Sequence, residues 1–351
     1  MHRAVDENKQ MQIIENEKCL QGGLIGVQMK EKVIKILKKY TIILVLIGLI
    51  LFFSIINPVF FSLTNFTNIF VQQSYVIIAA IGLAFVMISG GMDLSVGYQM
   101  SLVGVITAVS MMWLNLPVLF SVLIGLAMGV LLGIINGVAA VKLKVHPLII
   151  TLGTMTIFQG TSYIISNSNP IFGLPDSFKF LGQGYVGPIP FSVIAMVIVA
   201  FFASFVLNKT YFGRYVYALG SNEEAAHLAG VNTKKIKICV FMICGFFVAL
   251  SAIILVGRAG SATSATGVGT EFTCMTAAVL GGISFKGGSG KVWGVITGVL
   301  ILGVLSSGMQ IIGLGTYPQY IAKGIVLLAA VGFDNYQKNT KIKKTEKAVE
   351  A

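Results

Sequence analysis

Long apolar runs separated by short polar breaks fill most of this chain, and the runs are too long for the interior of a water-soluble domain. A helix needs ~20 mostly apolar residues to cross about 30 Å of hydrocarbon, where no water satisfies exposed backbone groups. Ten such stretches can be drawn: residues 39–56, 67–89, 96–115, 118–140, 147–166, 190–208, 236–257, 271–285, 292–312 and 318–334. The eighth is short, as a broken or re-entrant helix would be. All eight prolines (Pro58, Pro117, Pro147, Pro170, Pro175, Pro188, Pro190 and Pro318) fall at the ends of these stretches or between them. Proline fixes φ and lacks an N–H, so it belongs at such breaks. The predicted fold is an all-α integral membrane protein of about ten transmembrane helices.

Composition agrees. Of 351 residues, 56% are hydrophobic and 11% charged, against ~25% charged in a typical soluble domain. The net charge of +12 would suit a nucleic-acid partner if it were clustered on one surface. Instead, the basic residues sit in short groups between apolar runs, as in a polytopic membrane protein. With the N-terminus in the cytoplasm, 22 of 25 Lys and Arg fall in inner segments. Lys179 and Arg258 fall outside and Lys323 sits within the last stretch. Both termini are therefore predicted to be cytoplasmic. The chain then divides into a cytoplasmic tail (1–38), a transmembrane domain (39–334) and a second cytoplasmic tail (335–351). The first tail has no apolar core resembling a cleavable signal. Cys19, Cys239, Cys244 and Cys274 lack metal-ligand or CxxC spacing and read as packing residues.

Two hydrophilic connections are predicted on opposite sides: an outer loop, 167–189, and an inner loop, 209–235. The inner one contains "YALGSNEEAAHLAGVNTKK" and two of the few acids, Glu223 and Glu224. It reads as a short helix with an Asn222 or Ser221 N-cap, acids in its first turn and Gly230 at its end. On these residues alone, a solvated connector and a docking element are both open.

Gly125, Gly129, Gly133 and Gly137 recur every four residues and make one smooth stripe for close helix approach. Whether the partner is in this chain or in a second copy stays open. In "SGGMDLSVG" (89–97), Gly90 and Gly91 permit an abrupt turn and Asp93 can cap the next helix. An acid near a membrane boundary can also be functional. "GGISFKGGSGKVWGVITGV" echoes this segment and is consistent with an internal duplication. Its "GGSGK" is no P-loop, because Phe285 and Val292 stand where Gly and Ser or Thr are required.

No catalytic or metal-binding cluster can be drawn from Asp93, Glu271, Asp334, His2, His146 and His227, which disfavours a membrane-embedded enzyme. No cofactor is expected. Charges hug the edges of the spans, unlike ion-coupled carriers with ionisable groups near mid-membrane. Gln72, Gln73, Tyr75, Asn136 and Gln159 are candidate lining for a neutral polar solute, although such groups also join helices. A secondary transporter of a small polar metabolite is the competing class.

Several ordered segments resemble the permease subunits of bacterial ABC importers for simple sugars. They are "NPVFFSLTNFTNIF" (57–70), "GGMDLSVG" (90–97), "TLGTMTIFQG" (151–160), "ALGSNEEAAHLAGV" (218–231), "EFTCMTAAVLGGISFKGGSGKVWG" (271–294) and "QYIAKGIVLLAAV" (319–331). Gly90, Gly91, Asp93, Leu94, Ser95, Gly97 and Glu271 belong to these motifs. The resemblance implies a location in the bacterial inner membrane, an ATP-binding subunit, an extracytoplasmic solute-binding protein and a second permease copy, identical or not. It also implies that Gly220, Ser221, Asn222, Glu223, Glu224, Ala225, Ala226 and Gly230 dock on the ATPase. Met92 and Thr273 depart from the family pattern, the latter where a second acid often follows Glu271.

Overall fold

The computed structural model describes residues 42–349, with side chains as far as residue 332. The predicted tail 1–38, with His2 and Cys19, lies outside the described residues, as do the side chains of Asp334 and of the tail 335–351. The chain divides into two compact units, Met1–Ile47 and Gly48–Ala351. Of the first, only the opening residues of a helix, from Ile42, are described.

Thirteen α-helices are described. They are α1 (Ile42–Ile56), α2 (Leu63–Ile88), α3 (Val96–Met112), α4 (Val118–Lys142), α5 (Pro147–Ser166), α6 (Asp176–Gln183), α7 (Phe191–Lys209), α8 (Tyr211–Ser221), α9 (Glu223–Leu228), α10 (Thr233–Ala259), α11 (Thr270–Leu280), α12 (Val292–Ile311) and α13 (Thr316–Val349). A two-stranded antiparallel hairpin, β1 (Tyr185–Val186) with β2 (Ile189–Pro190), precedes α7. Helices α2, α4, α5, α7, α10 and α12 are long and apolar enough to cross a membrane, while α1, α3 and α11 are shorter and apolar. The chain is therefore an all-α integral membrane protein.

Local chemistry sets the helix starts. Ser62, Thr210 and Asn232 accept side-chain hydrogen bonds from the exposed first-turn amides of α2, α8 and α10. Pro147 opens α5, where its missing N–H costs nothing. Both predicted loops contain helices: 167–189 holds α6 and the hairpin, and 209–235 holds α8 and α9.

Helices α2 and α10 form the centre. The most apolar window of α2 is 72% buried and that of α10 is 61% buried, against 28% for α4 and α5. The α4 glycine stripe turns out to face this chain itself. Gly129 meets Gly245 and Ala249, Gly133 meets Phe241, and Gly137 meets Ile238, all on α10, while Gly125 meets Thr107 of α3. A side chain at Gly129 or Gly133 would run into α10 backbone. Lipid tails are as apolar as leucine, so close packing rather than hydrophobic burial holds such a seam. Exposed apolar side chains remain on the outer helices, among them Leu119 and Leu123 of α4 and Phe201, Phe202 and Phe205 of α7. Such a surface suits lipid rather than water.

Candidate functional site

Helices α8 and α9 are joined by Asn222, whose side chain accepts from Ala225 N–H at 2.9 Å and caps α9. Glu223 and Glu224 occupy its first turn, where the unpaired N–H groups favour negative charge. After Leu228 the chain reverses at Gly230, whose φ of +83° few L-residues adopt. Lys237 Nζ lies 2.7 Å from both Glu223 carboxylate oxygens and ties α9 to α10. The Glu223 side chain is still 52% exposed, so the pair is worth only about 0–1 kcal/mol. Glu224, Ala225, His227 and Leu228 are exposed as well, and only Ala226 packs inward. The element presents two carboxylates and an apolar tip at the end of the bundle where α7 finishes and α10 begins. Gly220 and Ser221 lie in α8, and Gly220 packs against Ile88. The nearby Tyr217 hydroxyl, whose pKa burial raises, donates to Gly290 O at 2.8 Å.

The second cluster surrounds Asp93, 1% exposed, in the break between α2 and α3. Asp93 Oδ1 accepts from Ser95 N–H at 2.9 Å and from the Ser95 hydroxyl at 2.5 Å. Oδ2 accepts from Gln99 Nε2 at 3.1 Å. Asn136 of α4 donates to Ser95 Oγ at 2.8 Å, and Gln99 donates to the same oxygen at 2.8 Å. Thr151 of α5 accepts from Leu94 N–H at 3.2 Å. No Lys or Arg pairs with Asp93 among the described residues. Its carboxyl oxygens are held by donors from the α2–α3 break and from α3, and Ser95 N–H and Oγ–H become buried orphans if the acid is lost. Gln99 was not among the residues singled out from sequence. Its spacing of four from Ser95 on a helix was the available signal.

The third feature is the break before α11. After α10 ends, Ala262 pairs with Ile171 through hydrogen bonds of 2.8 and 3.0 Å. The chain then runs without helix beside α3, where Ser101 donates to Ser264 O at 2.7 Å. Ser166 and Ser264 share a bond of 2.8 Å. The eleven residues of α11 measure only ~16 Å along the axis, about half a membrane. Within the non-helical lead to α11, Ala262 and Ser264 are buried, while Ala265, Val268 and Gly269 are exposed. Glu271, 2% exposed, accepts from Gly269 N–H at 3.0 and 3.2 Å and rests on Gly97, where any side chain would collide with its carboxylate. The distant motif residues Gly97 and Glu271 thus touch.

The residues expected along a path do not form one group. Asn136 is fully buried under Ser95. Gln73 packs on Gly303, and the Tyr75 carbonyl accepts from Ser251 at 2.7 Å. Gln72 and Gln159 are partly exposed. Gly90 and Gly91 line the turn after α2. Among the described residues, no group of three or more His, Cys, Asp or Glu could hold a metal ion. Cys239, Cys244 and Cys274 are free thiols, the last two buried.

Comparison with known proteins gives a consistent result. Residues 65–331 match the family described as branched-chain amino acid transport system / permease component. The chain is 42% identical over 301 residues to the ribose import permease protein RbsC of Haemophilus influenzae, covering 85% of this chain and 93% of that protein. It is 38% identical over 302 residues to RbsC of Escherichia coli K12, with the same coverage of 85% and 93%. The galactose/methyl galactoside import permease protein MglC of H. influenzae is 38% identical over 327 residues, covering 87% and 96%. No solved structure gives a significant match.

Proposed function

We infer the function from one premise: this chain belongs to the permease family whose members are described as components of branched-chain amino acid transport systems. It is the membrane-spanning permease subunit of an ATP-driven importer, a multi-pass inner-membrane protein that transports and does not itself catalyse a reaction. The observation that carries this is near-full-length identity of 42% to a ribose import permease. The solute is a simple sugar or similar neutral polar molecule. An amino acid would need partners for two opposite charges, whereas Asp93 and Glu271 are buried and already engaged by neutral donors.

In the proposed arrangement the chain crosses the bilayer ten times with both termini inside. The crossings are α1, α2, α3, α4, α5, α7, α10, α11 with its re-entrant lead, α12 and the first part of α13. The basic residues that cluster on one side support this orientation. The segment 209–235 then faces the cytoplasm and α9 docks on an ATP-binding subunit, through Glu223 and Glu224 and the exposed Leu228. The other sequence-stretch residues act by placing it: Asn222 caps α9, Ala226 packs it and Gly230 turns it. The transmembrane domain spans 39–334 and the loop 167–189, with α6, meets an extracytoplasmic binding protein that supplies the sugar. A second permease copy, identical or different, completes the path. Closure of the ATPases pulls α9 and rocks the helices between inward- and outward-open states. Because affinity resides in the delivery protein, the path itself needs few strong binding groups.

Glu223→Lys reverses one of the two docking charges while leaving the α9 cap in place. Uptake of labelled D-ribose or D-galactose by cells is expected to fall to background with normal membrane insertion. Wild-type uptake with normal ATPase association in this variant would reject the docking role.

A further inference from the structure

Three breaks in the bundle converge on one point beside α9. They are the exit of α2 at 88–91, the end of α8 at 217–221, and the bend between α11 and α12 at 286–290. Gly288 N–H donates to Ile88 O at 2.8 Å. The Tyr217 hydroxyl donates to Gly290 O at 2.8 Å. A Cβ on Gly287, where φ is +84°, would lie 2.7 Å from both Cα and N of Gly90 and 3.0 Å from Gly220 O. A Cβ on Gly220 would strike Ile88 O, and one on Gly288 would lie 2.9 Å from Ser221 Cα. Backbone therefore meets backbone at Gly90, Gly220 and Gly287, and the one side-chain atom close to Gly288 is the short Ser221 Oγ, which leaves little to absorb a displacement. Close-packed contacts of this kind transmit strain instead of damping it.

We propose that Gly90, Gly220 and Gly287, pinned by Tyr217, form the joint through which displacement of α9 reaches α2 and the half-helix α11. The inference rests on the reading of α9 as the handle of an ATPase, and adds where the pull goes. Only Asn222 separates α8 from α9, so a shift of α9 moves Ser221 and Gly220 with it. Gly287 and Gly288 then carry the shift into the loop that directly follows α11. A single rigid helix of eleven residues delivers it to Glu271 and Phe272. Glu271 is seated on Gly97 at the start of α3, so the two re-entrant breaks of the bundle are driven from one point.

The test uses the complex of this permease with its ATPase in proteoliposomes and does not depend on knowing the sugar. Phe272, an exposed side chain at the start of α11, is changed in Phe272→Cys and labelled with a water-soluble maleimide, with and without ATP and vanadate. With the joint intact, nucleotide trapping is expected to change the labelling rate by about fivefold or more. Adding Gly287→Ala should abolish that change while ATP hydrolysis continues. Adding Tyr217→Phe, which removes one hydroxyl and keeps the ring, should reduce it to about twofold. A merely structural role would lower the amount of complex but leave the nucleotide response of what assembles. The proposal is overturned by an unchanged labelling rate in the parent complex, or by a full response in both joint variants. If Gly287→Ala does not assemble, a full response in Tyr217→Phe overturns it alone. A parent permease that fails to bind any ATPase would reject the α9 reading itself, and the joint with it.

Discussion

Glu223 and Asp93 carry the same functional group and meet opposite fates. Glu223 stands at the first turn of a six-residue helix, 52% exposed, with one lysine beside it. Asp93 is 1% exposed and held by Ser95 and Gln99, with Asn136 closing the shell through Ser95 Oγ. An exposed ion pair adds about 0–1 kcal/mol because water competes for both partners. A buried carboxylate gains more from each donor, and its removal strands the donors that have no other acceptor. The difference teaches where each acid is spent. Asp93 holds the α2–α3 break together, and Glu223 contributes so little to the fold that it is free to serve a partner.

Changing the two acids separately sharpens this contrast most. Asp93→Ala leaves Ser95 N–H and Ser95 Oγ–H without their acceptor and Gln99 Nε2 with Ser95 Oγ alone, and should cost about 2 kcal/mol or more at 1–3 per stranded group. The thermal midpoint of the purified protein in detergent should fall sharply, or folded protein should be lost from the membrane. Next comes Asn136→Ala, which removes one donor to Ser95 Oγ and opens a small cavity beneath Asp93, for about 1–3 kcal/mol by the same measurement. The smallest change is expected for Lys237→Ala, about 0–1 kcal/mol, since it removes only the lysine paired with the half-exposed Glu223. An order in which Lys237→Ala destabilised more than Asp93→Ala would break the comparison.

Much of this architecture is legible in the sequence, for physical reasons that differ from one element to the next. The long crossing helices declare themselves because hydrocarbon admits nothing else, so run length alone carries the signal. The cap and turn of α9 are also legible, since Asn222, the two acids and Gly230 act locally. Helices α6 and α8 are less so. They are short and amphipathic, and Gly-rich polar surroundings read as loop. The glycine stripe of α4 announces close approach, but smoothness carries no address, and the α10 partner lies more than a hundred residues further along. The same distance hides the Asp93 shell: Asn136 is 43 residues from Asp93 and is fully buried. The contacts of Gly90 with Gly287 and of Gly97 with Glu271 are likewise invisible until the non-helical backbone on either side of α11 is placed.

The central claim is that α9 faces the cytoplasm and is gripped there by a separate ATP-driven chain. Its most direct test is Glu223→Cys, treated with a membrane-impermeant maleimide in right-side-out and inverted vesicles and compared with the parent chain. The account predicts labelling above the parent only in inverted vesicles, and protection of that site when the ATP-binding subunit is present. Labelling from the outer face, or equal labelling with and without the ATP-binding subunit, would contradict it.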